Sequence, residues 1–168
     1  TLAFDPQTNS FVIIEYKKDK SFSVIDQGYA YLSALLNNKA DFILEYNERK
    51  GVNLKRNDID WSQPKVIFIA KEFTPHQKGA IGFKDLPIEL WEIKRYSNDT
   101  ISFSQILPLG AVESIKTISK GSKTIENVSR EIKVYTEEDH LLDISDNIKE
   151  LYEKLKNLLL GIGNDIIV

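Results

Sequence analysis

At 168 residues, 42% of them hydrophobic and 28% charged, the chain is sized for one ordinary globular core plus an appendage. It has no cysteine, which excludes disulfides, thiolate zinc sites and cysteine nucleophiles, and its two histidines, His76 and His140, lie too far apart for a metal-ligand pair and read as surface residues. A net charge of −3 argues against nucleic-acid binding by a broad basic surface alone; with no apolar run of membrane-spanning length and no secretory leader, a cytoplasmic location is expected.

The first elements form a predicted hairpin. Residues 1–4 read as a strand, and residues 5–10 as its loop, with Pro6 and Asn9 in turn roles. Residues 11–18 return as a second strand. Side chains alternate along a strand, so Phe11, Ile13, Glu15 and Lys17 share one face and Val12, Ile14 and Tyr16 the other. Both faces are apolar up to Ile14, as expected of a central strand covered on both sides. The face that carries Phe11 and Ile13 then ends in a carboxylate and an ammonium. Taken alone, such a pair marks the point where a strand meets water.

Ser23 is placed to cap a helix that stops near Asn37 and Asn38, with Asp26 three residues on. Its apolar stripe runs Val24, Gly28, Tyr31, Leu32, Leu35, and Gly28 lets the backbone approach the sheet. Gln27 and Tyr31 are four apart and share a face. Gln27 sits at the edge of the stripe, where a polar side chain needs a hydrogen-bond partner. A second helix is expected through Arg49, closed by Gly51, with Glu45 and Glu48 on its solvated side.

Residues 65–70 are continuous, β-branched and apolar, as a parallel or central strand should be. Pro75 opens a helix expected to run to about Phe83. Residues 88–96 alternate, with Ile88, Leu90 and Glu92 on one face; residues 97–100 turn, and residues 101–107 return as an edge strand. Residues 108–134 read as a linker from their Pro, Gly, Ser, Thr and Lys content. Acids at 137–139 suit a helix start, and Ile144, Ile148, Leu151, Tyr152, Leu155, Leu159 and Ile162 make an amphipathic stripe ending at Gly161 and Gly163. Residues 165–168 look strand-like. Such a helix needs a partner surface, from which a homodimer is expected.

An E-x-K strand end (Glu15, Lys17) followed by a Q-x-x-x-Y helix (Gln27, Tyr31) makes residues 1–107 resemble the PD-(D/E)xK nuclease superfamily, in the branch shared with RecB-type nuclease domains. The resemblance implies an α/β, restriction-endonuclease-like core, a mixed central sheet flanked by helices, followed by the 108–134 linker and a helical extension over 135–168 that opens a small C-terminal domain. It implies nucleic acid, DNA in the first instance, as the partner, with no membrane involved. Glu15 would bind Mg²⁺ or Mn²⁺, Lys17 would position the attacking water, and Gln27 and Tyr31 would buttress the site and the phosphate backbone. Lys17, Lys18 and Lys20 would contact the nucleic acid.

The family also needs an Asp on the strand before the E-x-K strand. In the family pattern that position falls just before Thr1. Asp5 is the acid upstream of Glu15 in this sequence, either a turn residue or a displaced metal ligand. Two readings follow: a metal-dependent nuclease if the upstream Asp is supplied, with the chain as given inactive, or a catalytically silent interaction module in which Glu15 and Lys17 are a structural pair.

Overall fold

The computed structural model describes residues 1–18, 23–108, 113–117 and 121–163. Strands β1 (Leu2–Asp5), β2 (Ser10–Lys17), β3 (Lys65–Ala70), β4 (Ile88–Arg95) and β5 (Ile101–Ile106) lie side by side in chain order. The two outer pairs are antiparallel hairpins, and β2, β3 and β4 run parallel. Helices α1 (Val24–Asn37) and α2 (Lys39–Lys50) make the first parallel crossover, and α3 (Pro75–Ala80) lies in the second. Further along come α4 (Lys123–Glu131), α5 (Glu137–Leu141) and α6 (Asp146–Leu160). This is the expected α/β layout of a mixed sheet flanked by helices, with a C-terminal helix.

Local chemistry explains the helix ends. The Ser23 hydroxyl accepts the Asp26 N–H at 3.3 Å at the start of α1, and Gly51 closes α2 in the left-handed region at φ 64°. The Thr74 and Gln77 side chains and backbones cap α3 reciprocally, with Pro75 in its first turn. That helix ends at Ala80, short of Phe83. Gly28 lies against Ile88: a Cβ there would come within 2.9 Å of Ile88 Cγ1 and closer still to Cδ1. The α1 backbone therefore sits directly on the start of β4.

The core lies on one face of the sheet. Val66, Phe68, Ile88 and Leu90 are buried there with Val24, Tyr29, Leu32 and Leu36 of α1. Phe11 joins Leu35 and Ile59, with Phe42, Ile43 and Tyr46 of α2 packed around them. One expectation needs correction. Tyr29, not Tyr31, completes the buried stripe of α1, because it stands next to Leu32 and Leu36 on the helical wheel while Tyr31 lies at the edge beside Gln27. On β2, Phe11 and Val12 are buried and Ile13 and Ile14 half-buried, so both faces are covered up to Ile14; beyond it Tyr16 is exposed, and Ile67, Ile69 and Trp91, on the face away from α1, are half-buried. Part of the shielding on that face is polar, with Glu89 taking both Lys65 Nζ and Trp91 Nε1 at 2.8 Å.

The chain forms two compact units, residues 1–134 and 135–168. The boundary coincides with the expected start of the helical extension, but residues 113–117 and 121–134 are not a linker. Ile115, Ile125, Val128 and Ile132 are buried in the main core, and Lys39 bonds Glu131 at 2.6 Å. Composition misled here because Lys123 and Thr124 lie on the exposed side of α4, whose apolar residues Ile125 and Val128 recur at helical spacing and are buried. In the second unit, Thr136 and Asp139 cap α5 reciprocally, and residues 142–145 separate it from α6. The strand-like residues 165–168 lie outside the described residues.

Candidate functional site

In an open α/β sheet, the carboxyl ends of parallel strands are where ligands bind, because the chain leaves the sheet there and opens a crevice. Glu15 and Lys17 stand at that end of β2. Glu15 pairs with Phe68 and Lys17 with Ala70 on β3, so both project to the face covered by α1. Gln27 and Tyr31 are one and two turns into α1, at the same end. The four side chains that the sequence singled out are brought together.

Their hydrogen bonds run in one direction. Lys17 Nζ donates to Gln27 Oε1 at 2.7 Å, and Gln27 Nε2 donates to the Tyr31 hydroxyl at 2.9 Å. An ammonium only donates, so Gln27 must present its oxygen to Lys17 and its amide nitrogen to Tyr31. The Tyr31 oxygen thus accepts. The relay runs from the Lys17 cation through Gln27 to Tyr31.

Electrostatics follow from this geometry. Burial lowers the Lys17 pKa, and the Glu15 carboxylate acts in the opposite sense. Burial likewise raises the Tyr31 pKa; its bond from Gln27 works against the shift and Glu15 adds to it. Lys17 also lies over the Phe68 ring, 5.1 Å from its centroid. The ammonium is therefore held in one place and partly desolvated, which strengthens its pull on an anion.

The other candidates are more scattered. Asp5 pairs with Ser10, five residues along β2 from Glu15 and roughly 17 Å away. It accepts the Gln7 N–H at 2.9 Å, and that bond lowers its pKa, so Asp5 is the turn residue and not a displaced ligand. Lys18 follows Lys17 and lines the same hollow. Lys20 lies outside the described residues. His76 and His140 are exposed, as expected.

One feature of β4 escaped the sequence reading. Glu92, Ile93 and Lys94 form a second E-x-K at a parallel strand's carboxyl end. The signal was present in three letters. Glu92 stands in the same cross-strand row as Lys17, with the small Ala70 between them. It bonds Lys78 Nζ at 2.8 Å and accepts the Phe73 N–H at 3.1 Å. Glu92 thereby anchors the turn after β3 and the body of α3.

A divalent cation needs more than one carboxylate here. Among the described residues no group of three or more His, Cys, Asp or Glu side chains is placed to hold a metal ion, so these donors do not by themselves fit a resident Mg²⁺ or Mn²⁺. The β1–β2 register shows where a second acid would fit. Thr1 and Ile14 exchange both backbone hydrogen bonds at 2.8 Å, so a residue preceding Thr1 in the same strand would face Glu15 as a non-hydrogen-bonded pair, with side chains close and on one face.

A Haemophilus influenzae protein described as an uncharacterized protein is 52% identical to the chain over 166 residues, which cover 99% of this chain and 55% of that protein. The chain thus spans about half the length of this relative. No family model matches the sequence, and no solved structure matches it. Among the described residues no helix is long and apolar enough to cross a membrane.

Proposed function

We propose that the chain is a nucleic-acid-binding domain of the PD-(D/E)xK nuclease type, with a restriction-endonuclease-like core that engages a phosphodiester at Lys17. The observation that carries the reading is the one-way relay from Lys17 through Gln27 to Tyr31. It fixes an ammonium at the carboxyl end of a parallel strand, with a carboxylate two residues earlier on the same face. Lys17 attracts and orients the phosphate; Gln27 and Tyr31 hold the ammonium in place. Hydrolysis with Mg²⁺ or Mn²⁺ requires a second acid, at the position opposite Glu15.

A second reading rests on the donor set. With no metal-holding cluster of acids among the described residues, the domain serves as a catalytically silent interaction module. One experiment separates the two. Variants with Asp or Ala added before Thr1 are incubated with Mn²⁺ and labelled single- and double-stranded DNA. Cleavage by the Asp form, absent from the Ala form and abolished by Glu15→Ala or Lys17→Ala, supports the nuclease. Metal-independent DNA binding that is lost in Lys17→Ala, with no cleavage by the Asp form, supports the silent module. If no form binds nucleic acid, the phosphodiester reading falls.

A further inference from the structure

The Lys17 site opens outward into a hollow of about 530 Å³, lined by Tyr16, Lys17, Lys18, Lys71 and Glu72 among others. A second hollow of about 840 Å³ lies over β4 and β5 and is bounded by Lys71, Glu72, Lys94, Tyr96, Ser102 and Ser104 among others. Lys71 and Glu72 line both, so the two make one groove across the strand ends. The cross-strand row Lys17, Ala70, Glu92, Ser104 gives its direction and length: three inter-strand spacings, about 14 Å.

The groove combines charge with stacking surface. Glu92 is engaged by Lys78 at 2.8 Å and Arg95 by Asp99 at 2.7 Å; against the Glu72 carboxylate, which lines both hollows, stand the cations Lys17, Lys18, Lys71 and Lys94. Each hollow has an exposed aromatic ring, Tyr16 at 64% and Tyr96 at 44%. Lys94 Nζ sits 5.1 Å from the Tyr96 ring centroid. Interleaved cations and exposed aromatic faces form the surface on which unpaired bases stack while phosphates track the charge; in a duplex the bases are already stacked on each other. Ser102 and Ser104 add hydroxyl donors.

We infer that this groove is a track for a single strand of nucleic acid, with Lys71 and Lys94 as phosphate contacts beyond Lys17 and Tyr96 as a base platform. The inference rests on the phosphodiester reading of the Lys17 site and adds to it the strand state of the ligand and its path toward β5.

Fluorescence anisotropy on the 168-residue chain tests it, with labelled oligo(dT) of about 4 and about 12 nucleotides and a duplex of the longer length. The longer strand should bind more tightly than the shorter one and than the duplex. The Lys71→Ala, Lys94→Ala double variant should remove that gain, with about tenfold weaker binding, and make the dependence of log K on log salt shallower by about 1.4. Tyr96→Leu should weaken the longer strand at least roughly fivefold and leave the duplex unchanged. Ser102→Asp, which adds a negative charge to the groove floor and leaves both lysines and Tyr96 in place, should weaken the longer strand as well. If Lys17→Ala weakens binding while all three groove variants bind like wild type, the track is overturned and the Lys17 site stands. Duplex preferred over single strand overturns the strand assignment, and no binding to any oligonucleotide overturns both readings.

Discussion

Gln27 bridges Lys17 and Tyr31, accepting from the ammonium and donating to the phenol oxygen. Replacing it with Leu keeps the volume but leaves Lys17 without its 2.7 Å acceptor and Tyr31 without its donor. The expected cost is about 1–2 kcal/mol, read from the urea midpoint at pH 7, together with weakened oligonucleotide binding because the ammonium is no longer held. Tyr29, two residues on, presents the opposite case. It is fully buried; the Ser129 hydroxyl beside it lowers its pKa somewhat but does not meet hydrogen-bond geometry, and neither oxygen has a partner among the described residues. Burial pushes the Tyr29 pKa from 10.0 up to about 12. A raised folded-state pKa means that the protonated phenol favours folding, so this contribution is complete below pH 10 and is lost as pH rises toward 12. The full loss is on the order of 3 kcal/mol. Tyr29→Phe should equal wild type or exceed it by up to about 1 kcal/mol at pH 7, and should flatten the decline in urea midpoint between pH 9 and 11. An equally steep decline in the variant would count against this assignment.

Between elements, the seating of α1 on the sheet decides whether the relay can form. Gly28→Ala improves helix propensity by about 1 kcal/mol but pushes a methyl into Ile88, where overpacking costs about 1–3 kcal/mol. A net loss of about 1 kcal/mol is expected, measurable as a drop of a few degrees in Tm. Ile88→Val trims the clashing carbon, so the double variant should be more stable than the two single losses added together. Additive losses would mean that α1 does not rest on β4 at Gly28. Glu92 ties α3 to β4 in a similar way: its bonds from Lys78, and then from the Phe73 N–H, lower its pKa. A depressed carboxylate pKa stabilises above the ordinary value near 4.5 and loses that effect as pH falls through the folded-state value. Glu92→Gln should therefore reduce the acid-side slope of stability.

At the scale of the molecule, the second unit carries an exposed apolar seam. Ile148, Leu151, Leu155, Leu158 and Ile162 alternate three and four residues apart and are exposed, Leu151 at 68% and Leu158 at 70%. That spacing is a coiled-coil seam, narrower than the broad stripe read from the sequence, and its complement is another helix. The sequence reading expects a homodimer through the Ile148, Leu155, Leu159 stripe of this helix; the exposed seam is the surface a second copy would cover. Light scattering over a dilution series should give twice the chain mass, falling to a monomer in Leu151→Lys, Leu155→Lys. A wild-type monomer at every concentration would remove the dimer.

The element order from β1 to β5, the caps at Ser23 and Gly51 and the grouping of Glu15, Lys17, Gln27 and Tyr31 could be read from the sequence, because each depends on local periodicity or on one side chain's own chemistry. Register, face and packing could not. Asp5 and Glu15 are both carboxylates in one hairpin, and the β1–β2 pairing sets them apart. Residues 108–134 look polar in composition, yet four apolar side chains from the segment fill a gap beside α1. The second E-x-K became meaningful only when parallel pairing put Glu92 in the row of Lys17 and joined two hollows through Lys71. These are contacts between residues far apart in the chain, and their energies depend on which surfaces meet; a local pattern carries no record of that.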